Sequence, residues 1–488
     1  MRLRLVTILA IVIGAAANVF AQGRAQPPSD VRRNVILILS DDHRYDFMGF
    51  HPNAPEWLET PSLDRMAAGG AHLVNAFVTT ALCSPSRASI LTGRYAHRHG
   101  VVDNQSAIRE GTVFFPQYLQ KAGYQTAYIG KWHMGEDHDS DRPRPGFDHW
   151  ISFQGQGVYV NPTLNINGER RQVQGYTTDL LTESAVDWMK AQANAGGRPF
   201  FLYLSHKAVH AEFVPSERHR GRYTDAAIPY PPTMANTESN YRDRPRWVRE
   251  QRYSWHGVDY MYHGQFDYDT FYRRYAETLL TLDEGVGRVL DFLDTSGLAR
   301  NTVVIYMGDN GFLLGEHGLI DKRNAYEESM RVPMLAYAPG LIAAGSKVTT
   351  MVRNIDVAPT ILAIAGVQSG HDMDGRSVVP ALRGEPMNVE DELLYEYYWE
   401  YAFPHTPTTF ALRSGRYKFI YYHGIWDLNE FYDLQTDPRE QRNLINVPSY
   451  AAEIKKMSGR LFDRLETTGG MQIPLRRGTY QAGERLVH

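Results

Sequence analysis

The groups that could do chemistry in this 488-residue sequence fall into a few clusters, most of them directly after short apolar runs. Asp41-Asp42 follow Asn34–Ser40 (NVILILS), and Asp309-Asn310 follow the run 302–307. Three carboxylates and one amide make an all-oxygen donor set, which suits a hard divalent cation such as Ca²⁺ or Mg²⁺. Taken alone, an Asp pair after a strand can equally cap a helix. Gly130-Lys131-Trp132-His133 follow the run 124–129, and His206-Lys207-Ala208-Val209-His210 follow 199–205. Each places an ammonium near an imidazole, a pairing that holds an anion and moves a proton. The remaining cluster is Leu82-Cys83-Ser84-Pro85-Ser86-Arg87, which contains the only cysteine in the sequence. Ser84-Pro85 predicts a helix start, so Cys83 stands at a helix N-terminus, where the dipole favours an anion. Read from the residues, Cys83 is either a thiolate nucleophile or an inert buried side chain. A single cysteine excludes an intrachain disulfide and any multi-cysteine zinc or iron–sulfur site.

These clusters need elements to position them. Asn34–Ser40 reads as a buried parallel strand, and further strands are predicted at 124–129, 199–205, 302–307 and 334–338. Helices are predicted at 61–68, 115–122, 178–193, 272–294 and 357–366. This alternation predicts an α/β fold with a large, mainly parallel sheet flanked by helices on both faces. Ligands bind such sheets beyond the carboxyl ends of the strands, where the clusters sit. From about residue 393 the pattern becomes short strands (409–413, 417–422, 430–434) and a helix near 450–465. We read 22–392 as the catalytic domain and 393–488 as a smaller α+β subdomain with an antiparallel sheet. Within the first, 213–265 reads as an insertion, holding eight Arg, no Lys and six acidic residues. It is either a solvated loop or a lid whose guanidinium groups meet an anionic ligand.

Composition narrows the class. Hydrophobic residues at 43% and charged residues at 22% describe a globular chain, and a net charge of −4 gives no basic field for nucleic acid. Arg2 and Arg4, the apolar stretch 5–17 and Val19-Phe20-Ala21 form a signal peptide over 1–21, cleaved after Ala21. The stretch is too short to span a bilayer, so the expected location is periplasmic or secreted, without stable membrane insertion. An unpaired thiol there is open to oxidation, which sits badly with a simple thiolate mechanism.

Cys83-Ser84-Pro85-Ser86-Arg87 with Leu91-Thr92-Gly93-Arg94 resembles the modification signature of the type I, formylglycine-dependent sulfatases. The resemblance runs from Asn34 to about Asn443. It implies an alkaline-phosphatase-like sandwich and conversion of Cys83 by a maturation enzyme to formylglycine (3-oxoalanine). By the same resemblance, Asp41, Asp42, Asp309 and Asn310 match the ligands of Ca²⁺, with modified Cys83 completing the site and Mg²⁺ the lesser choice. Arg87 matches the residue that steadies the aldehyde hydrate, Lys131 and His133 the Lys-x-His pair, and His210 the histidine after the next strand. Lys322, in the segment 321–327 (DKRNAYE), matches the lysine before the family's Tyr-Glu element. In the implied chemistry, a hydrated aldehyde offers two hydroxyls on one carbon. One attacks sulfur while Arg87, Lys131 and Lys322 stabilise the oxyanions, and His210 with Lys322 protonates the leaving oxygen. The other gives its proton to His133 and expels sulfate.

Many family members carry Ser or Thr after the element seen here as Gly146-Phe147-Asp148. Here that region reads Phe153-Gln154-Gly155-Gln156-Gly157, and Gln156 stands in as a sulfate ligand. The segment from Gly155 to Asp179 and the His206–His210 cluster look like the branch that includes N-acetylglucosamine-6-sulfatases, with Val209 where that branch usually has Pro. The implied substrate is a sulfated glycosaminoglycan, mucin or related sugar, with His206, Glu316, His317 and His405 as further sugar contacts. Two alternatives stay open at this point. One is a phosphate or phosphonate monoester hydrolase with the same machinery; the other is an inactive glycan-binding relic. Nothing in the sequence sets the oligomeric state.

Overall fold

The computed structural model describes residues 32–474, apart from 136–139, 265, 390 and 402. The expected leader 1–21 lies outside the described residues. A ten-stranded sheet organises the chain. Its centre is five parallel strands in the spatial order Thr302–Gly308, Asn34–Ser40, Phe200–Ser205, Gln125–Lys131 and His149–Phe153. Asn34–Ser40 and Thr302–Gly308 are buried along their whole length, as strands covered on both faces must be. Alternate residues serve opposite layers. Val35, Leu37 and Leu39 enter one apolar core, and Ile36 and Ile38 enter the other. Helices Pro61–Gly69, Thr177–Asn194 and Tyr268–Thr295 cover the second layer, and Cys83–Thr92 and Val357–Ala365 cover the first.

Register brings the strand ends into line. Ser40 pairs with Gly308, Leu39 with Ser205, and Gly130 with Ser205. The parallel strands therefore end level, and the residues after each end emerge along one edge. Gly130 is required there: with φ +126°, a Cβ would lie 1.7 Å from the Ser205 carbonyl oxygen. Only glycine lets the two strands close side by side just before Lys131.

Both ends of the sheet depart from the expected simplicity. Met334–Tyr337 pairs antiparallel to Thr302–Gly308, and Ala71–Leu73 and Ser346–Val348 extend that side. Thr163–Ile166 and Glu169–Gln172 form an antiparallel hairpin on the other. These strands have three or four residues each. Runs so short give almost no periodic signal. The insertion 213–265 contains the short helices Glu238–Tyr241 and Arg246–Gln251 rather than a featureless loop.

A separate four-stranded antiparallel sheet comes next in the chain: Leu393–Tyr397, Thr409–Arg413, Tyr417–Tyr422 and Glu430–Asp433. Helix Ala451–Thr468 sends Met457, Leu461 and Leu465 into a core with Leu394, Phe410, Leu412 and Phe431. The small sheet belongs to the same compact unit as the large one. Its first strand joins the larger part directly, with Glu396 N–H donating to Thr79 C=O at 2.9 Å.

Candidate active site

Cys83 is the first residue of helix Cys83–Thr92, after the extended residue Leu82. Every residue of that helix is buried. Arg87 lies one turn on, on the same face. Its Nε donates to Asp309 Oδ2 at 2.9 Å, and Nη1 donates to the Lys131 carbonyl at 2.6 Å and Ser205 Oγ at 2.7 Å. Arg87 thus ties the cysteine helix to the ends of three strands.

The strand-end clusters converge on Cys83. Lys322 Nζ lies 2.9 Å from Cys83 Sγ, and Asp41 Oδ1 lies 3.5 Å from it. Lys131 donates to Asp41 and Gln156, and Lys322 donates to Asp42. Asn310 Nδ2 donates to Asp42 Oδ1 at 2.6 Å, and His210 Nε2 lies 3.7 Å from Asp42 Oδ2. His133 Nδ1 is 3.4 Å from Ser84 Oγ. One ligand atom from each of Asp41, Asp42, Cys83 and His210 fits within 4.8 Å of all the others. Asn310 Oδ1 is buried with no hydrogen-bond partner among the described residues. An orphaned amide oxygen beside three carboxylates fits a hard cation. Asp309 faces Arg87 through Oδ2, while its Oδ1 accepts from Asp42 N–H at 3.2 Å.

Electrostatics decide the protonation states. Burial pushes the Cys83 thiol up to about 12, with Asp41 adding to it against Lys131 and Lys322. Burial works against a thiolate at the helix start, which weighs against the simple thiolate reading. Burial acts to raise Asp41, but the cations Lys131, Arg87 and Lys322 outweigh it and hold the carboxyl well below its usual range. Burial, with Asp41 beside it, lifts Asp309 to about 6 despite Arg87. Burial and the nearby Lys131 push both His133 and His210 down, so each is neutral near pH 7.

Above the cluster opens a cavity of about 780 Å³. Asp42, His133, Gln156, His210 and Lys322 lie on its wall, together with Tyr159, Lys207, Asp321 and Arg323. Lys207 Nζ donates to the Ala211 carbonyl at 2.9 Å and sits 4.9 Å from the Tyr159 ring centroid. Burial and Lys131 push it down to about 8. Asn104, Gln105, Trp255 and His256 also line the cavity. None of these four follows a strand, so no strand-end signal marks them.

The other sugar-contact candidates lie elsewhere. His206 is fully buried, and His317 packs 4.2 Å from the Tyr326 ring at 1% exposure. Glu316 pairs with Arg44 at 2.5 Å and lines a different cavity of about 360 Å³. His405 is exposed, two residues beyond the cavity-lining Phe403. Many insertion arginines are paired with carboxylates: Arg218 with Asp179 and Glu284, Arg222 with Glu59, Arg252 with Asp259, and buried Arg244 with Glu430. Among the described residues, the insertion lines the cavity with Val214, Trp255 and His256 rather than with arginine.

Comparison with known proteins gives consistent relatives. Residues 33–367 match the family described as Sulfatase, and residues 315–467 match N-sulphoglucosamine sulphohydrolase, C-terminal. The chain is 31% identical to an N-acetylglucosamine-6-O-sulfatase of Bacteroides thetaiotaomicron, over 91% of this chain and 88% of that protein. It is 30% identical to the Homo sapiens N-acetylglucosamine-6-sulfatase, over 84% of this chain and 74% of that one. A solved structure of a protein with its substrate D-glucosamine-2-N,6-O-disulfate superimposes with a TM-score of 0.84 at 30% identity, covering 91% of this chain and 100% of the other.

Proposed function

This chain belongs to the sulfatase family, and from that premise we propose that it removes the 6-O-sulfate from an N-acetylglucosamine-type sugar of a glycosaminoglycan, mucin or related glycan. It is a sulfuric ester hydrolase acting on a sulfated sugar. The finer reading is supported by the 31% identity to an N-acetylglucosamine-6-O-sulfatase over 91% of this chain, and the placement of Cys83 between Lys322 and Asp41 under the cavity supports the chemistry.

In this reading Asp41, Asp42, Asp309 and Asn310 would hold a divalent cation, Ca²⁺, beside Cys83. When bound, that ion acidifies a hydroxyl and draws charge from sulfate oxygens. Cys83, once converted to formylglycine, would supply the attacking oxygen. Lys131 and Lys322 bring ammonium groups to the sulfate oxygens, and Gln156, held by Lys131, adds an amide. Arg87 fixes the first turn of the cysteine helix against Asp309.

His210 Nδ1 lies 2.9 Å from the Ala211 carbonyl, which can only accept, so Nδ1 carries the hydrogen and Nε2 turns toward Asp42. To protonate the leaving sugar oxygen, His210 must hold a second proton. An incoming sulfate anion favours that by offsetting the repulsion from Lys131. Lys322 is the companion donor. His133, neutral and beside Ser84, accepts the proton released when sulfate is expelled.

The leader 1–21 directs export to the periplasm or outside the cell, and a formylglycine-generating enzyme is the maturation partner. No helix among the described residues is long and apolar enough to cross a membrane. We treat 22–392 and 393–488 as the catalytic domain and its C-terminal subdomain. The test joins mass spectrometry of the Cys83 peptide to desulfation of defined sulfated sugars. The expected result is an aldehyde or its hydrate at Cys83 and fastest release from a 6-O-sulfated glucosamine. An intact thiol in fully active protein overturns the mechanism. Faster cleavage of an aryl phosphate than of the matched aryl sulfate overturns the assignment of substrate chemistry.

A further inference from the structure

Several large rings remain on the surface, and those nearest the cavity form a pattern. Trp255 lines the cavity and is 43% exposed. His256 comes next in the chain and stacks on Phe403, with centroids 4.8 Å apart and planes 22° apart. Phe403, also on the cavity wall, lies under the Arg323 guanidinium at 3.8 Å. On the same segment, Tyr401 is 54% exposed and Trp399 47% exposed, with ring centroids 6.2 Å apart. Trp399 and Tyr401 thus stand four and two residues before the cavity-lining Phe403 and present their rings to solvent.

Trp399 and the neighbouring Glu400 are anchored. Glu400, between the two exposed rings, is buried and accepts from Arg323 Nε at 2.8 Å and Tyr397 Oη at 3.0 Å. Trp399 N–H donates to Thr408 Oγ1 at 2.9 Å, and its indole N–H donates to the Pro404 carbonyl at 3.2 Å. Thr406 Oγ1 donates to Gln251, which in turn donates to Asp321 on the cavity wall. Rigid, exposed aromatic faces lose little freedom when a ligand lands on them. Left bare, they are a standing cost in water. A pyranose ring presents a face of C–H groups that covers an aromatic ring while its hydroxyls stay hydrated at the rim.

We propose that Trp399 and Tyr401 form an extension subsite that stacks sugar rings attached to the sulfated one, so that the substrate is an oligosaccharide rather than a free sulfated monosaccharide. This rests on the sugar-sulfatase reading and specifies the length of its substrate. The experiment compares a 6-O-sulfated glucosamine monosaccharide with a tetrasaccharide carrying the same sulfated sugar. Wild type is expected to show the lower KM on the tetrasaccharide. Trp399→Ala and Tyr401→Ala should each raise that KM about tenfold, leaving kcat and all monosaccharide constants unchanged. Trp399→Phe should restore most of the loss, and unchanged monosaccharide turnover shows that the variants fold. Trp426, exposed on the hairpin turn beyond Tyr417–Tyr422, is the control whose substitution by Ala changes nothing. Equal kcat/KM on both substrates, or variants that weaken both alike, would overturn the extension subsite while leaving the sulfatase intact. Wild type that desulfates neither substrate overturns the underlying reading instead.

Discussion

The segment 322–327 enters two buried charge clusters, and they are built to opposite ends. At Lys322, three cations (Arg87, Lys131, Lys322) face three carboxylates (Asp41, Asp42, Asp309). At Glu327, three cations (Arg244, Arg413, Lys418) face three others (Glu327, Glu430, Glu440). The formal balance is the same. The second cluster is closed on itself: Arg413 forks onto Glu327 at 2.8 and 3.1 Å, and Lys418 reaches Glu327 at 2.8 Å and Glu440 at 2.7 Å. Tyr326, Tyr422 and Tyr432 hydroxyls saturate Glu430. The first cluster opens on a cavity and keeps an orphaned amide oxygen and an imidazole at 3.7 Å. A saturated cluster locks structure, and an open one keeps binding capacity for an ion and an anion. The two share one short segment, so the C-terminal sheet that holds Glu327 also steadies Lys322.

The largest expected effect tests the open cluster. Lys322→Ala should lower kcat/KM by about 10²–10³-fold or more, because one preorganised charge facing the transition state is lost. Steady-state desulfation with a parallel melting curve reads this, and a variant within twofold of wild type would remove Lys322 from the chemistry. The closed cluster should answer in stability instead of rate. Lys418→Met leaves buried carboxylates uncompensated and should cost about 3–5 kcal/mol in urea unfolding. Turnover per folded molecule should stay close to wild type, and a large kcat loss in stably folded protein would merge the two roles.

Chelation separates the clusters by their need for an ion. A chelator should abolish activity and lower the melting temperature modestly, with Ca²⁺ restoring both. Asp309→Ala should remove the response, whereas Lys418→Met should keep it. Next in size is a pH effect at the cavity rim. Lys207 is pushed down to about 8, so its charge is present below that pH and lost above it. KM for a sulfated sugar should therefore rise as pH passes 8, and Lys207→Met should flatten that limb. The smallest effect belongs to a charge in neither cluster. Arg218, about half exposed and paired with Asp179 and Glu284, should cost under about 1 kcal/mol as Arg218→Ala.

Much of this is legible in the residues. The continuous apolar stretches inside Asn34–Ser40 and Phe200–Ser205 announce buried parallel strands, because only a strand covered on both faces carries apolar residues on both sides. Cys83-Ser84-Pro85 announces a helix start, and the helix begins at Cys83 itself. The apolar period predicts the long helix from Tyr272, but it starts at Tyr268, where Asp267 caps it by accepting from Thr270 N–H. The signal there is a cap, not an apolar period. Glu169–Gln172 (ERRQ) is wholly exposed and polar, and only its neighbour makes it a strand. Among sugar-contact candidates, Gln156 reaches the cavity, while Glu316 and His317, adjacent to the matched motif, turn to other partners. Nearness in sequence does not fix where a side chain points when the backbone passes through φ +56° at His317.

The sequence by itself determined the candidate reacting groups and the edge on which they gather. Residue type sets donor chemistry, and apolar runs set the strands whose ends carry those residues. Tertiary structure alone decided which charges meet. The level register of Ser40, Ser205 and Gly308 and the small sheet bracing the segment 321–328 turn scattered acids and bases into one open and one closed cluster. The reason is physical: a Coulomb interaction depends on separation and on the water excluded around it, and neither is written in the order of the residues.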